Sequence, residues 1–331
     1  MAAIANTNVK GSVIVITGGS SGIGLAVARA FLSAGAKGVV ISGRNKKRLD
    51  AAVSKLLNEV RPNELSSGVK RVLGVSSDVS SWEETRSLMK IAFDTYRQID
   101  YVLANATGAE RGSDPHAIPH NVFTKPNYDV SYHMIQSLAN TVHAAAGYLA
   151  APAGSARAIA SIEEFMAQNQ IVRRDKAIIV TGSQAGFVEY DLDPPYAVAK
   201  GAMDSYVWTN KSRLANLGIR INCITPAWVD TLALAQLITL GIVLPEHVVP
   251  MNTVTGAVMR FCNDSTISGV ITSMPVPWPD VRTFDISAAP LSEQSKMVRI
   301  ISSQICLAGY MLMDFFALIR LSGSFPSSLA P

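Results

Sequence analysis

Tyr196 and Lys200, four positions apart, form a pair that can exchange a proton near neutral pH when the two side chains lie close together. Residues with this spacing lie on one face of a helix, so the tyrosine hydroxyl and the lysine ammonium can point into the same cleft. A free tyrosine has a pKa of about 10 and is a poor acid or base at neutral pH. Because a nearby ammonium stabilises the phenolate and lowers that pKa, the pair predicts a site for proton exchange with a substrate oxygen.

A glycine-rich turn near the N-terminus has the composition of a phosphate-binding site. It follows the first apolar run and precedes an apolar, helix-like stretch, Leu25–Ser33. Glycines let the backbone turn sharply and approach a pyrophosphate closely, while the helix N-terminus offers free N–H groups and positive dipole. We therefore predict that a nucleotide is bound by the residues of this turn: Thr17, Gly18, Ser20, Ser21, Gly22, Ile23 and Gly24.

The residues after the second apolar run bear on which dinucleotide binds. Sites that prefer NAD place a carboxylate there, which accepts hydrogen bonds from the adenosine ribose hydroxyls. Here the chain continues Gly43-Arg44-Asn45-Lys46-Lys47, without an acid. Arg44 instead offers a planar, permanently charged guanidinium suited to a 2′-phosphate, which predicts NADP(H) as the cofactor.

Short apolar runs alternate along the chain with segments long enough to hold a crossover helix. Such alternation predicts a parallel sheet covered by helices on both faces. We predict an α/β fold with a Rossmann-type, doubly wound parallel sheet of about seven strands, forming a single domain over residues 11–275 after a tail of residues 1–10. The predicted strands are Val13–Thr17, Gly38–Ser42, Val72–Val75, Tyr101–Ala104, Ala177–Thr181, Arg220–Ile224 and Gly269–Met274.

The character of the chain changes in its last part, residues 276–331. Prolines interrupt the first portion, whereas Ser295–Leu321 has no proline and is strongly apolar, which predicts a linker followed by an apolar helix. A membrane-spanning helix needs about 20 mostly apolar residues. Gln304 and Asp314 within this stretch favour a helix that lies on a membrane surface, or one that packs on the domain or on an oligomer partner.

These motifs together resemble the short-chain dehydrogenase/reductase family. The turn Thr17-Gly18-x-x-x-Gly22-x-Gly24 is similar to that family's cofactor signature, and the likeness extends over residues 11 to about 274. In the family a serine at a strand end precedes the tyrosine by thirteen residues, as Ser183 does here. The resemblance implies an NADP(H)-dependent oxidoreductase that interconverts a ketone and an alcohol. In it Ser183 and Tyr196 would bind the substrate oxygen, and Lys200 would also touch the nicotinamide ribose.

Further landmarks of the family can be assigned to the cofactor. Asp78-Val79 resembles the pair that holds the adenine ring, and Asn105 matches part of the family's Asn-Asn-Ala-Gly segment. Val229 and Thr231 match the segment whose backbone and hydroxyl fix the nicotinamide carboxamide, with Ala227 in place of the usual glycine.

The family also has a fourth catalytic residue, an asparagine that joins a water-linked proton relay to the lysine. We assign it to Asn140, with Gln136 as an alternative. An inserted stretch, Ala151–Lys176, lies between Asn140 and Ser183, so the spacing between these two residues cannot be matched directly to the family's. A polar position on a helix would account for Asn140 equally well.

The segment after Thr231 bears on the substrate. Leu232–Leu244 is strongly apolar where a substrate lid is expected, which favours a lipophilic substrate such as a steroid, terpenoid, polyketide or long-chain keto lipid, in secondary metabolism for example. Core packing would explain the same residues. Ser183-Gln184-Ala185-Gly186 and the apolar C-terminal part are similar to membrane-associated 3-ketodihydrosphingosine reductases, whereas Pro195-Tyr196 and Trp228–Thr231 look like hydroxyprostaglandin dehydrogenases.

Composition argues against several other classes of protein. The formal charge of +4 is mild and the basic residues are scattered, so we expect no nucleic-acid partner. Cys223, Cys262 and Cys306 are far apart and odd in number, and no carboxylate–histidine cluster occurs, so we predict neither disulfides nor a metal site. Residues 1–10 lack the features of a signal peptide, which favours a cytoplasmic location, with membrane association through residues 295–321 as an alternative.

Two rival functions stay open on the sequence alone. The chain could be an NADP(H)-binding homologue without turnover, which the altered segment around Asn105 would allow. It could also be a redox-neutral enzyme on the same scaffold, such as a cyclase or dehydratase, against which the complete Ser183–Tyr196–Lys200 set argues. The family resemblance further implies a homo-oligomer that pairs through helices.

Overall fold

Seven strands form one parallel sheet in the computed structural model, which describes residues 8–60, 65, 68–106, 128–160, 163–164, 175–188, 194–231, 234 and 248–274. The strands are β1 (Val13–Ile16), β2 (Gly38–Gly43), β3 (Val72–Ser76), β4 (Tyr101–Ala104), β5 (Lys176–Thr181), β6 (Ile219–Pro226) and β7 (Ile271–Met274). Their order across the sheet is β3-β2-β1-β4-β5-β6-β7, and every neighbouring pair is parallel.

The strand order changes direction between β1 and β4. The chain builds outwards from β1 to β3, then returns past β1 to add β4 and the strands that follow. In a doubly wound sheet the ligand lies outside the carboxyl ends of the strands at such a switch point. The glycine turn follows β1 and Asn105 follows β4, so both lie at this point.

Helices cover both faces of the sheet. Among the described residues they are α1 (Gly22–Ser33), α2 (Lys46–Glu59), α3 (Trp82–Tyr96), α4 (Asp129–Ala150), α5 (Pro194–Ala215) and α6 (Met251–Asn263), with a short 3-10 turn at Gln184–Gly186. Helices α1, α2 and α6 enclose one apolar core, while α3, α4 and α5 enclose the other. Successive residues of a strand point to opposite faces, so Ile14 and Ile16 of β1 enter the first core and Val13 and Val15 the second.

The predicted fold class is confirmed, with all seven strands within a few residues of their predicted bounds. The predicted apolar helix at residues 295–321 and nearly all of the predicted lid at residues 232–244 lie outside the described part of the chain. No described helix is both long enough and apolar enough to cross a membrane.

Candidate active site

The two residues with the proton-exchange spacing lie in the first two turns of α5. Lys200 is only 1% exposed, and its ammonium donates a hydrogen bond to the carbonyl of Thr181 at 2.8 Å. The same Nζ lies 5.4 Å from the centre of the half-buried Tyr196 ring. The hydrogen bond to the last residue of β5 therefore fixes the ammonium beside the phenol.

Burial has a large effect on the protonation of Lys200. Removal of the side chain from water lowers its pKa from 10.5 to about 8, although the negative charge of Asp204 acts in the opposite direction. At neutral pH the side chain is still mainly an ammonium. It can therefore stabilise a phenolate at Tyr196 in a medium that weakens the interaction less than water does.

Ser183 lies at the carboxyl end of β5, two residues after Thr181. Its hydroxyl accepts a hydrogen bond from the backbone N–H of Ala185 at 3.3 Å, which caps the 3-10 turn. The next residue, Gln184, is buried and donates from Nε2 to Ser273 Oγ of β7 at 2.9 Å. Ser183 is therefore held on a turn that is tied to two strands, at the same sheet edge as Tyr196 and Lys200.

The 3-10 turn also packs closely on α5. A Cβ atom at Gly186 would lie 2.6 Å from the backbone nitrogen of Gly201 and 2.7 Å from the carbonyl carbon of Lys200. The backbone of the turn thus contacts the backbone of α5 directly. The turn that begins after Ser183 therefore lies against α5 at Lys200 and Gly201.

The glycine turn forms a cradle between β1 and α1. Gly18 and Gly22 have φ values of 67° and 52°, a left-handed conformation that favours glycine. A Cβ at Gly24 would lie 2.6 Å from the carbonyl oxygen of Gly18, so a side chain there would fill the cradle. Ser21 precedes α1 without a side-chain cap, and the first turn of α1 contains no acid, which leaves this helix end suited to an anion.

Other predicted cofactor residues contact this turn. The hydroxyl of Thr17 accepts hydrogen bonds from the backbone N–H groups of Asn105 and Ala106, both at 3.0 Å, and the Asn105 amide donates to the Thr17 carbonyl at 3.1 Å. A Cβ at Gly22 would lie 3.3 Å from Cγ2 of Thr231, so the segment after β6 reaches the turn. Val229 in that segment is buried and pairs with Val249.

Arg44 and Asp78 lie beyond the carboxyl ends of β2 and β3. Burial alone would raise the pKa of Asp78, but two hydrogen bonds from Ser80 and the charge of Arg44 outweigh it and lower the pKa. Arg44 is exposed. Gly43, the residue before Arg44, lies against Ser20, because a Cβ added at Gly43 would be 3.0 Å from Ser20 Oγ. A hydroxyl, a guanidinium and a carboxylate therefore border the same end of the cradle.

Asn140 lies near the same end of the site. Its amide donates to the carbonyl oxygens of Val79 at 3.1 Å and of Ser80 at 3.0 Å, which fixes the turn between β3 and α3. No hydrogen bond joins Asn140 to Lys200, whose described partner is Thr181. The structure thus brings Asn140 to the predicted adenine pair, and its part in a proton relay stays a prediction.

A dinucleotide fits this edge of the sheet on grounds that do not depend on the motifs. Three buried hydroxyls at or just after the carboxyl ends of strands have no hydrogen-bond partner within the described residues: Ser42 on β2, Ser77 after β3 and Thr181 on β5. Buried polar groups in folded proteins are rarely left unpaired, so these hydroxyls suit a polar ligand. They span the sheet from the region of Arg44 to the region of Lys200.

Two buried residues of this region were given no role at the site by the sequence analysis. Asp204 lies one helical turn beyond Lys200, and Cys223 of β6 donates from its thiol to Asp204 Oδ1 at 3.3 Å. The i, i+4 spacing from Lys200 was the available signal for Asp204. Within the described residues, no group of three or more His, Cys, Asp or Glu side chains is arranged to hold a metal ion.

The doubly wound sheet, the phosphate cradle and the buried tyrosine–lysine pair define a dinucleotide-dependent oxidoreductase. The family model described as short chain dehydrogenase matches residues 12–172 and 162–239. The chain belongs to this family, the short-chain dehydrogenases/reductases, which are NAD(P)-dependent enzymes acting on CH–OH groups.

Curated relatives are about a quarter identical to this chain over the regions that align. The Short chain aldehyde dehydrogenase 1 of Euphorbia lathyris is 26% identical over 67% of this chain and 65% of its own length. A short-chain dehydrogenase of Penicillium roqueforti is 27% identical over 80% of this chain and 89% of its own. The Dehydrogenase/reductase SDR family member 4 of Rattus norvegicus is 27% identical over 66% of each. The matched region thus spans slightly less than two thirds of the plant and rat proteins.

Solved structures share the fold at lower identity. A short-chain type dehydrogenase/reductase from Mycobacterium marinum superimposes with a TM-score of 0.64 and 18% identity, covering 82% of this chain and 97% of that one. A 3-ketoacyl-(acyl-carrier-protein) reductase from Brucella melitensis, complexed with NADH, superimposes with a TM-score of 0.61 and 20% identity. This match covers 81% of this chain and 98% of that one.

Proposed function

We propose that the protein is an NADP(H)-dependent oxidoreductase that interconverts a ketone and a secondary alcohol on a lipophilic substrate. The observation that carries the proposal is the buried ammonium of Lys200 beside the ring of Tyr196, at the sheet edge that also holds Ser183 and the glycine cradle. A phenol beside a fixed positive charge is a competent acid and base near neutral pH.

The proposed mechanism assigns one task to each side chain. When bound, the nicotinamide cofactor supplies or accepts the hydride. Ser183 donates a hydrogen bond to the substrate oxygen and holds it toward Tyr196. In the direction of reduction, Tyr196 gives its proton to that oxygen and becomes a phenolate, which the ammonium of Lys200 stabilises. In the direction of oxidation, the phenolate takes the proton from the alcohol.

The preference for NADP(H) is proposed from the charges at the adenosine end. Arg44 follows β2 where an NAD site would place an acid, and the β2–α2 connection is Arg44 and Asn45. The guanidinium of Arg44 is exposed, so a phosphate at this end of the cradle can reach it. The hydroxyl of Ser20 against Gly43 adds a neutral hydrogen-bond donor beside it.

The lipophilic substrate is proposed from the apolar segment after Thr231. Leu234, the described residue of that segment, is 3% exposed, and its N–H donates to the Thr231 carbonyl at 2.9 Å. The segment therefore starts close to the cradle. The Euphorbia relative is named for an aldehyde, which agrees with a carbonyl substrate.

The direct test of the function is turnover with a panel of carbonyl compounds. The full-length protein is incubated with NADPH and with steroid, terpenoid, polyketide and long-chain ketones, and the loss of NADPH absorbance and the product mass are followed. We expect NADPH loss with at least one lipophilic ketone and a product heavier by two hydrogens. Product formation without NADPH loss would support a redox-neutral reaction instead, and cofactor binding without any product would support the silent homologue.

Two further proposals concern location and assembly. We propose peripheral membrane contact through residues 295–321, as in the 3-ketodihydrosphingosine reductases that the chain resembles, and self-association through helices. The exposed Tyr132 of α4 and Val198 of α5, 64% and 53% exposed, support the latter. Membrane fractionation of the full chain against a version that ends near Pro290 tests the membrane contact, since only the full chain should sediment with membranes. Light scattering, which measures the mass of the particle in solution, tests the self-association.

A further inference from the structure

Asp204 is a buried acid that the proposed mechanism does not use. It lies on α5, one turn beyond Lys200 and two turns beyond Tyr196, and it is 7% exposed. A carboxylate in that position needs a reason, because the removal of a charge from water is costly unless the charge is paired and hydrogen-bonded. Positions four and eight residues after Tyr196 lie on the same face of the helix.

The carboxyl group is held from the opposite side by β6. Cys223 is fully buried, and its thiol donates to Asp204 Oδ1 at 3.3 Å. Gly182, which lies between Thr181 and Ser183, makes room for both groups. A Cβ at Gly182 would lie 2.8 Å from Cys223 Sγ and 3.2 Å from Asp204 Oδ1. The acid and the thiol therefore pack directly beneath the strand end that carries the catalytic serine.

The ammonium of Lys200 has a carbonyl partner but also needs a counter-charge. Its hydrogen bond to Thr181 satisfies one N–H donor and leaves the positive charge unneutralised. Within the described residues, the titratable groups that act on Lys200 are Asp204 from its own helix and Cys223 from β6. The 3-10 turn that packs on α5 is Gln-Ala-Gly and adds none, and on α4 His143 and His133 contact Trp82 and Tyr132 instead.

We propose that Asp204 is a positioning residue: its carboxylate, held by the Cys223 thiol, is the buried counter-charge that keeps the Lys200 ammonium, which Thr181 holds beside Tyr196, in its charged form. The inference rests on the proposed roles of Tyr196 and Lys200 and deepens them. The site then contains a row of side chains, Tyr196, Lys200, Asp204 and Cys223, of which the phenol alone reaches the substrate.

The protonation of the two buried groups agrees with this arrangement. Burial raises the pKa of Asp204 to about 7, while the Cys223 thiol and the Lys200 charge act to lower it. Burial lowers the pKa of Lys200, while the negative charge of Asp204 acts to raise it. The two groups are thus coupled, because the charge of each favours the charged form of the other.

The test removes the charge of Asp204 and measures the titration of Tyr196. In the cofactor-free protein, the ultraviolet absorbance of phenolate is followed against pH for wild type and for Asp204→Asn. The same titration of Tyr196→Phe is subtracted to isolate Tyr196 from the other tyrosines. Without the counter-charge Lys200 gives up its proton more easily, so we expect the Tyr196 pKa to rise by about one unit or more.

Catalysis provides a second, independent reading of the same variant. In alcohol oxidation the pH at which kcat reaches half its maximum should move up together with the Tyr196 pKa, while KM stays unchanged. At neutral pH this lowers kcat about tenfold for each unit of the pKa rise. A purely structural role for Asp204 would lower the melting temperature and leave the pH profile where it is in wild type.

A matched control is available on α3. Lys90 and Asp94 have the same types and the same i, i+4 spacing as Lys200 and Asp204, but both are exposed. Asp94→Asn removes one negative charge outside the site, and we expect it to leave the titration of Tyr196 and the pH profile as in wild type. A shift of equal size in Asp94→Asn and Asp204→Asn would mean a general charge effect and would overturn the proposal.

Two variants of Cys223 keep the question decidable if Asp204→Asn does not fold. Cys223→Ser retains a hydrogen-bond donor for the carboxylate and should titrate close to wild type. Cys223→Ala removes the donor, so the carboxylate is less stabilised and the Tyr196 pKa should rise. Equal titrations in Cys223→Ala, Cys223→Ser and wild type would contradict the inference.

Failure of the inference can be told from failure of the proposed function. If Tyr196→Phe loses turnover while Asp204→Asn titrates and turns over like wild type, Asp204 has no positioning role and the function stands. If Tyr196→Phe turns over like wild type, the proposed function is wrong and the inference falls with it.

Discussion

Lys200 is the residue in which stability and the proposed chemistry conflict most directly. A fully buried lysine has lost its hydration, and the hydrogen bond to Thr181 replaces only part of it. The same burial strengthens its interaction with the Tyr196 phenol, because the medium between them screens poorly. Residues that serve function at the expense of stability are common at active sites.

The cost of this lysine should be visible in the pH dependence of stability. The pKa of Lys200 is lowered from 10.5 in the unfolded chain to about 8 in the folded protein. The unfolded chain therefore takes up the proton first as the pH falls through this range, and the folded state loses stability there. We expect the free energy of unfolding of wild type, relative to Lys200→Met, to fall by about 3 kcal/mol as the pH is lowered from about 10.5 to about 8.

Urea unfolding of both proteins at several pH values measures this difference. Lys90→Met, which replaces an exposed lysine of α3, is the control and should show no comparable dependence. A difference between wild type and Lys200→Met that stays constant with pH would contradict the burial argument.

The preference for the cofactor can be tested at Arg44. A charge-assisted hydrogen bond to a phosphate is worth about 1.5–3 kcal/mol. Arg44→Ala should therefore weaken NADPH binding by about tenfold or more, with little change for NADH. Fluorescence titration with both cofactors measures it, and Lys47→Ala, an exposed charge on α2, serves as control. Equal loss of both cofactors would argue against contact with a 2′-phosphate.

At the scale of elements, the site depends on how closely the 3-10 turn approaches α5. The turn carries Ser183 at its start and meets α5 at Gly186, where backbone contacts backbone. Gln184 ties the same turn to Ser273 of β7, the last strand of the sheet. The position of Ser183 relative to Tyr196 is therefore set by the packing of the turn on the helix that follows it, and by its bond to a strand that is distant in sequence.

This packing predicts a strong effect of one methyl group. In Gly186→Ala the new Cβ would lie 2.6 Å from the nitrogen of Gly201, and backbone cannot give way as a side chain can. We expect a loss of about 1–3 kcal/mol in the free energy of unfolding, together with a fall in kcat as Ser183 moves.

Gly256→Ala is the matched control for this change. Gly256 lies on α6, where an added Cβ meets nothing within 4 Å. Alanine is favoured over glycine in a helix by about 1 kcal/mol, so this variant should be neutral or slightly more stable. Calorimetry and turnover of both variants measure the contrast, and equal effects on both would contradict the close approach.

The element scale is also where the sequence was most and least informative. Short β-branched runs between helix-length segments predicted all seven strands, because a strand's composition is set by local burial. The glycine turn was predicted because its function needs glycines at fixed positions. Asn140 was assigned from spacing across an insertion before β5; its amide binds the Val79 and Ser80 carbonyls, and its part in a proton relay stays a prediction. Asp204 was missed because its burial depends on contact with β6.

At the scale of the whole molecule, the two edges of the sheet have different tasks. The carboxyl edge carries the cradle, Ser183 and the Tyr196–Lys200 pair. At the amino edge Asp100, before β4, accepts hydrogen bonds from the Val13 N–H at 2.7 Å and from the Gln98 amide, and pairs with Lys176. These contacts join β1, β4 and β5 where they start, at the end away from the proposed chemistry.

Loss of the amino-edge contacts should affect stability alone. Asp100 and Lys176 have side chains that are 12% and 16% exposed, so removal of one partner leaves the other poorly solvated. We expect Asp100→Ala to lower the free energy of unfolding by about 3 kcal/mol while kcat and KM stay as in wild type. Denaturation and steady-state kinetics on one preparation test it; a change in kcat of the folded variant would contradict the separation of the two edges.

The central claim is that the phenol of Tyr196 exchanges the proton with the substrate oxygen. Tyr196→Phe removes one oxygen atom from a half-buried ring and leaves the glycine cradle intact. The measurement is NADPH affinity and ketone turnover in the same sample. The account predicts wild-type affinity with turnover reduced by a factor of about a hundred or more. Turnover at the wild-type rate in that variant would contradict it.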